Sequence, residues 1–402
     1  MKTHKITMLD MKEMNALLLD TVRKYHSQTV AFRRHIHTYP ERSREEEQTA
    51  QFIEQQLSKM GIPYQRMAKT GVIGLIEGAD NGERIALRAD MDALPIEEAN
   101  THSFVSKHKG VMHACGHDAH TAVLLGAAQV IQELKAYLKG SVVLIFQPSE
   151  ETFPGGARML LDEGLLEKYQ PQKIYGLHVD PDIDVGKIGM KPGQYMASTD
   201  EVYLTVRGKG GHGAMPDKNT DTVLMAAQIL LSLQQIASRN APPDIPTVLS
   251  FGRFTADGRT NIIPDEVKLE GTFRTFDEAW REKAHQRITE IAQQTARAMG
   301  GDCDVLIDKG YPFLVNDEAL TNDTFRKAAL LLGQENVIPL PVRMTAEDFA
   351  YYSQKVPACF YRLGVRNEKK GIRSNLHSTT FDIDEKSLET GVRMMAFLAL
   401  KP

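Results

Sequence analysis

The chain predicts an open α/β sheet interrupted by an inserted α+β domain, and three observations carry that reading. Strand-like runs at 71–77, 84–89, 141–146 and 174–179 alternate with helical segments, and polar residues with useful chemistry follow their carboxyl ends. Between 201 and 308 the order becomes strand, helix, strand, strand, helix, strand, the βαββαβ plan of a ferredoxin-like domain, complete in about 110 residues. After Tyr311-Pro312 the α/β pattern resumes, so the boundaries fall at 1–198, 199–312 and 313–402, with the middle piece inserted. At 402 residues the chain exceeds the size at which one core stops growing, which agrees with two domains.

The elements follow in order. Leu9–Tyr25 has helical periodicity. Arg33, Arg34, His35 and His37 come next and read as a solvated or salt-bridged surface, because their spacing converges on no common point. Ser43-Arg-Glu-Glu46 has capping-box spacing ahead of the apolar stripe Phe52, Ile53, Leu57 and Met60, with Gly61 as the stop. The strand at 84–89 runs into Asp90-Met-Asp92. Ala119–Ala136 reads as a buried helix broken only by Thr121 and Gln129. Ser141–Phe146 is a strand buried on both faces, followed by Glu150-Glu151, Pro154-Gly-Gly156 and a helix over 157–166. Ile174–Val179 delivers His178 at a strand end. The insert then supplies strands at 201–207, 247–254, 267–275 and 303–308 with helices at 222–239 and 279–299. Helices at 318–332, 345–354 and 387–400 and a strand at 358–363 complete the chain.

Composition excludes several function classes. Hydrophobic residues are 42%, charged residues 25% and the formal net charge −4, which favours a small-molecule substrate over nucleic acid or an anionic membrane. The cysteines, Cys115, Cys303 and Cys359, are odd in number and far apart, which points away from a disulfide framework and toward a reducing compartment. Asp10, Lys12 and Glu13 interrupt the stretch where a signal peptide needs an apolar run, and no segment approaches membrane-spanning length. A soluble cytoplasmic protein is expected.

The chemistry concentrates in His113-Ala-Cys115-Gly-His117-Asp118-Ala-His120, a density of metal donors that a packed core does not need. In an extended segment Cys115 and His117 leave the same face, and the helix that follows places them in the loop at its start. With Glu151, His178 and His377 they offer five donors of mixed N, O and S type from separate loops, which suits a catalytic pair of ions more than a closed structural site. Such a pair lowers the pKa of bound water and polarises a carbonyl. Cys115, in the densest stretch, is the expected bridge. Adjacent Glu150 and Glu151 diverge, so one ligates and the other serves as base. Asp90 and Asp92 either orient ligating histidines from behind or pair with Arg88. In the insert, His212 sits in a glycine-rich turn, Asn261 precedes Ile-Ile-Pro264 and Arg274 ends a strand; an arginine suits a carboxylate, and a histidine or asparagine can donate to an oxyanion.

At these residues the chain resembles the metal-dependent aminoacylase and carboxypeptidase superfamily of amidohydrolases, in the branch of aminoacylases, hippurate hydrolases and plant auxin-conjugate hydrolases. The likeness runs through Arg88–Pro95, His113–Asp118, Pro148–Glu151, Leu177-His178-Val, Gly211-His212, Asn261–Pro264, Thr345–Phe349 and Leu376-His377-Ser. It implies a catalytic domain of zinc-aminopeptidase type and an inserted lid that forms a homodimer. It further implies two divalent ions, zinc or manganese first and cobalt or nickel also admitted, on Cys115, His117, Glu151, His178 and His377, with Glu150 as base. His212, Asn261 and Arg274 would then meet the substrate's carbonyl oxygen and carboxylate, and His212 could serve the neighbouring subunit's site. Pro40-Glu-Arg-Ser43 and Asp180 depart from the usual pattern without touching a ligand. The reaction expected is hydrolysis of an N-acyl amino acid. A dipeptidase or carboxypeptidase is the rival within enzymes, and a non-catalytic metal or acyl-amino-acid binding protein is the rival outside them.

Overall fold

The computed structural model describes residues 11–78 and 80–400. Its described residues divide into two compact units: one holds those up to Gly193, Val315–Pro341 and those from Tyr351 to Leu400, the other Gln194–Leu314 and Val342–Ala350.

In the first unit, helices α1 (Met11–Thr38) and α2 (Glu47–Lys59) precede strands β1 (Tyr64–Met67), β2 (Gly71–Glu77) and β3 (Asp80–Asp90). Helix α3 (His117–Glu133), β4 (Lys139–Gln147), α4 (Gly156–Asp162), α5 (Leu165–Tyr169), β5 (Lys173–Asp184) and β6 (Ile188–Met190) follow. A short β7 (Gly193–Met196) leads into the second unit, whose elements are β8 (Asp200–Arg207), β9 (Gly211–His212), α6 (Thr222–Leu233), β10 (Thr247–Thr255), β11 (Ile262–Ile263), β12 (Glu266–Thr275), α7 (Glu278–Ala298) and β13 (Asp302–Lys309). The chain returns through β14 (Leu314–Asn316), α8 (Glu318–Leu332), β15 (Val337–Pro339), α9 (Ala350–Ser353), β16 (Ala358–Arg366) and α10 (Lys386–Leu400).

The first unit is built on an eight-stranded mixed sheet of order β1-β2-β4-β3-β5-β16-β6-β15. Its central strands β4, β3, β5 and β16 run parallel, so their carboxyl ends share one edge. That edge carries Asp90, Gln147 and His178. Helix α3 is apolar on all sides and fully buried along Ala119–Ala128, as its sequence requires. The second unit is a four-stranded antiparallel sheet of order β10-β12-β8-β13, the ferredoxin-like arrangement. Val202, Leu204, Leu269 and Phe273 from its strands pack with Met225, Ile229, Trp280 and Ile288 from α6 and α7. Asp221 and Asp277 cap those two helices through their carboxylates.

Several local expectations need correction. Leu9 and Asp10 lie outside the described residues, but α1 continues past Tyr25 to Thr38, because Phe32 and Ile36 extend the buried stripe begun by Met14, Leu18 and Val22. The cluster read as surface is therefore partly buried. Arg33 is 1% exposed, with Nε 3.0 Å from Asp118 Oδ2, and His37 Nδ1 lies 2.8 Å from the same oxygen. Ser43 does not cap α2; its hydroxyl donates to Asp92 at 2.6 Å, and the backbone N–H groups of Gln48 and Thr49 donate instead to Glu41. The helix expected over 157–166 breaks at Gly164, whose φ is 81°, and the one over 345–354 shrinks to Ala350–Ser353. The helix expected over 222–239 ends at Leu233 and resumes as a π-turn at Ile236–Asn240. No described helix is long and apolar enough to cross a membrane.

The buried pair has a measurable consequence. Burial pushes the Asp118 carboxyl up, but the Arg33 guanidinium and the hydrogen-bonded His37 ring hold it well below the ordinary carboxylate range. Its stabilisation is complete above the unfolded carboxylate pKa and is lost as pH falls toward the depressed folded value. Arg33→Met leaves Asp118 under-compensated, and should cost about 3–5 kcal/mol in urea unfolding at neutral pH.

Candidate metal centre

Four segments along the sheet edge converge on Cys115. Its loop is held by Gly116, whose φ of 85° suits glycine and whose Cβ, if present, would lie 2.4 Å from Val179 Cγ2. Cys115 and His117 are not the extended pair that their spacing suggests. His117 is the first residue of α3, and the left-handed glycine between them redirects the chain. Glu150 and Glu151 follow β4, His178 lies within β5, and His377 stands in the loop before α10 with a φ of 61°.

The donor atoms fall into overlapping sets. Those of Cys115, His117 and His178 lie within 4.8 Å of one another, and so do those of Cys115, Glu151 and His377. Cys115 belongs to both. Its Sγ is 3.3 Å from His178 Nε2, while Glu151 Oε1 lies 3.9 Å from His117 Nε2 and 3.6 Å from His377 Nε2. His117 Nε2 and Glu151 Oε1 are buried without a hydrogen-bond partner, a costly arrangement unless cations lie among the donors. The residues therefore fit a two-ion centre.

Burial and hydrogen bonding act differently on the separate donors. Burial pushes the Cys115 thiol up, whereas hydrogen bonds to Cys115 and Glu151 push the His377 imidazole up to about 10. Burial also drives His178 well below its ordinary value, which keeps that imidazole neutral and ready to ligate. Cys115, His117 and His178 are buried and His377 is exposed, so the centre is closed behind and open in front.

Asp92 organises these groups from behind. Its backbone oxygen is 2.9 Å and its Oδ1 3.2 Å from His117 Nδ1, which places the proton there and leaves Nε2 free to ligate. Oδ1 also accepts from the Glu150 N–H at 3.0 Å, and Oδ2 accepts from the Glu151 N–H at 3.0 Å. Asp92→Ala should lower zinc affinity by about 10–100-fold, read by competition with a chelator. Asp90 pairs with Arg88 at 2.5 Å and, in place of a ligating histidine, with Nδ1 of His120, also at 2.5 Å, whose Nε2 accepts from the Val179 N–H. Sequence reasoning missed the supports given by His120 and Ser43. His120 lay in the donor-rich stretch and could have been flagged; the spacing around Ser43 signalled a helix cap and not its bond to Asp92.

Glu150 is 8% exposed and forms a further set within 4.8 Å with His117 and Glu151, so neighbouring carboxylates that diverge along the chain still reach one place. In the second unit, exposed His212 pairs with Ile262 across β9 and β11, and the Gly213 N–H donates to the Asn261 carbonyl at 2.9 Å, which makes His212 and Asn261 neighbours. Arg274 lies on β12, half-buried, with Nη1 donating to the Met344 carbonyl at 3.2 Å.

Comparison with known proteins gives the family. The profile of peptidase family M20/M25/M40 matches residues 86–401. The chain is 41% identical over 378 residues to the N-acetyl-L-cysteine deacetylase of Bacillus subtilis (strain 168), covering 94% of this chain and 88% of that protein. It is 41% identical over 306 residues to the N-acyl-L-amino acid amidohydrolase of Geobacillus stearothermophilus, covering 76% of this chain and 81% of that protein. The crystal structure of the YXEP protein of Bacillus subtilis, described as a dinuclear metal binding peptidase from the M20 family, matches with a TM-score of 0.81 at 34% identity, covering 94% of this chain and 98% of that one. On these likenesses the chain is an amidohydrolase belonging to peptidase family M20/M25/M40.

Proposed function

We propose that this amidohydrolase cleaves N-acyl amino acids to a carboxylic acid and a free amino acid. Cys115, His117, Glu151, His178 and His377 would hold the pair of divalent ions, zinc or manganese first, that the reaction uses. The observation that carries the reading is the double membership of Cys115 in two donor sets that also contain orphaned buried atoms. When bound, the ions supply Lewis acidity at the scissile carbonyl and acidify water.

The chain's own residues do the rest. Glu150, fixed through its backbone by Asp92, takes a proton from the attacking water and returns it to the departing nitrogen. His212 and Asn261 donate to the oxyanion that develops on the carbonyl, and Arg274 receives the amino acid's carboxylate through its forked donors. Residues 199–312 serve as lid and homodimerisation domain, and His212 completes the partner subunit's site. A reducing cytoplasm keeps Cys115 available as a ligand.

The names carried by the deacetylase and amidohydrolase relatives support N-acyl amino acids over peptides. A paired assay of N-acetyl and N-benzoyl amino acids against dipeptides, read by amine release after loading with zinc, manganese, cobalt or nickel, should favour the N-acyl compounds. Preference for dipeptides would overturn the substrate class, and binding without turnover under every ion would make the protein a carrier.

A further inference from the structure

A second group of metal donors lies in the same unit and takes no part in the chemistry above. His37 lies in the last turn of α1, while Glu98 and His102 belong to the irregular stretch 91–116 between β3 and α3. Their donor atoms lie within 4.8 Å of one another. Glu98 Oε1 is 3.1 Å from His37 Nε2 and 3.3 Å from His102 Nε2. Around a tetrahedral zinc with bonds of 2.0–2.1 Å, neighbouring donors stand about 3.3–3.5 Å apart, so these separations already match.

Each donor is held in place from outside the cluster. His37 Nδ1 lies 2.8 Å from Asp118, the carboxylate–histidine pairing that aims the other ring nitrogen at a metal. Glu98 accepts from the Ser106 N–H at 2.7 Å and from the Asn100 amide at 3.0 Å. The His102 ring stacks on Phe104 with centroids 3.8 Å apart.

Two further observations ask for a cation. Both ring nitrogens of His102 are covered from solvent and make no hydrogen bond, although Nε2 is within 3.3 Å of Glu98; the pair is close but misaligned for a direct bond. Charge is also unbalanced. Among the described residues, Glu98, Asp118, Asp382 and Glu385 pair with two permanent cations, Arg33 and Arg34, and otherwise with imidazoles, leaving two negative charges when the imidazoles are neutral. A proton on His37 answers one of those charges and leaves His102 unpartnered. A divalent ion answers both.

We propose that His37, Glu98 and His102 form a divalent-cation site of the zinc type, separate from the centre built on Cys115, with water completing the tetrahedron. The Ala99 N–H donates to the Thr379 carbonyl at 2.8 Å and the Asn100 amide to the Phe381 carbonyl at 3.0 Å, so an ion here fastens α1 and the 91–116 stretch to the segment that follows His377. Its role is structural.

The test counts ions in the full chain. Wild type, His102→Ala and Glu98→Gln are stripped with a chelator, dialysed against low-micromolar zinc and measured by elemental analysis. Each variant should hold one zinc fewer than wild type, whatever number the other centre takes, and should keep its N-acyl hydrolysis. The gap between wild-type and variant melting midpoints should widen when zinc is added. Equal zinc in all three proteins, or a gap that zinc leaves unchanged, would reduce the cluster to a protonated hydrogen-bond network and overturn the proposal.

Discussion

Glu150→Gln should retain its full complement of metal while its turnover falls by about 10²–10⁴-fold, the range that positioned proton transfer contributes. The amide has the shape of the carboxylate and the backbone N–H still reaches Asp92 at 3.0 Å, so the loop keeps its form. What disappears is the ability to accept a proton. Elemental analysis and steady-state kinetics on one preparation separate the outcomes, with kcat carrying the loss and KM little changed. Glu151→Gln makes the contrast, because Glu151 belongs to the Cys115 and His377 set and its loss should show first in metal content. Undiminished turnover in Glu150→Gln would remove it from the mechanism.

Cys115→Ala should have the larger effect on binding. Cys115 shares one donor set with His178, 3.3 Å from its sulfur, and another with His377, so its loss strips a donor from both ends of the cluster. The variant should lose both ions and all measurable hydrolysis, with an affinity loss exceeding the about 10–100-fold expected for a supporting residue. His377→Ala, which removes an exposed donor from one set, should lose a single ion. A Cys115→Ala protein that keeps both ions would rule out a bridging sulfur.

Much of this was legible in the sequence, for physical reasons. The strands at 71–77 and 141–146 carry apolar runs that only a buried sheet accommodates, and the five donors were conspicuous because cores have no use for them. The illegible parts depend on distant partners. Nothing near Arg33 reveals Asp118, which lies 85 residues along the chain, so a charged helix end read as surface although its guanidinium is buried. Ser43 and Glu46 matched a capping motif, yet Asp92 and Ser149 claimed their side chains and Glu41 took over the helix start. Local spacing states what a residue can do; tertiary contacts decide which option it takes. The same holds in the insert, where His212 and Asn261 are brought together by a two-residue strand pair too short to read as a strand.

The glycine at 116 has a consequence for anyone who would alter this protein. A methyl group there would overlap a valine on the neighbouring strand, and the backbone adopts a turn that L-amino acids disfavour. Codon randomisation at this site, followed by selection for hydrolysis, should recover glycine alone, so attempts to retune the thiol's surroundings must begin at other positions.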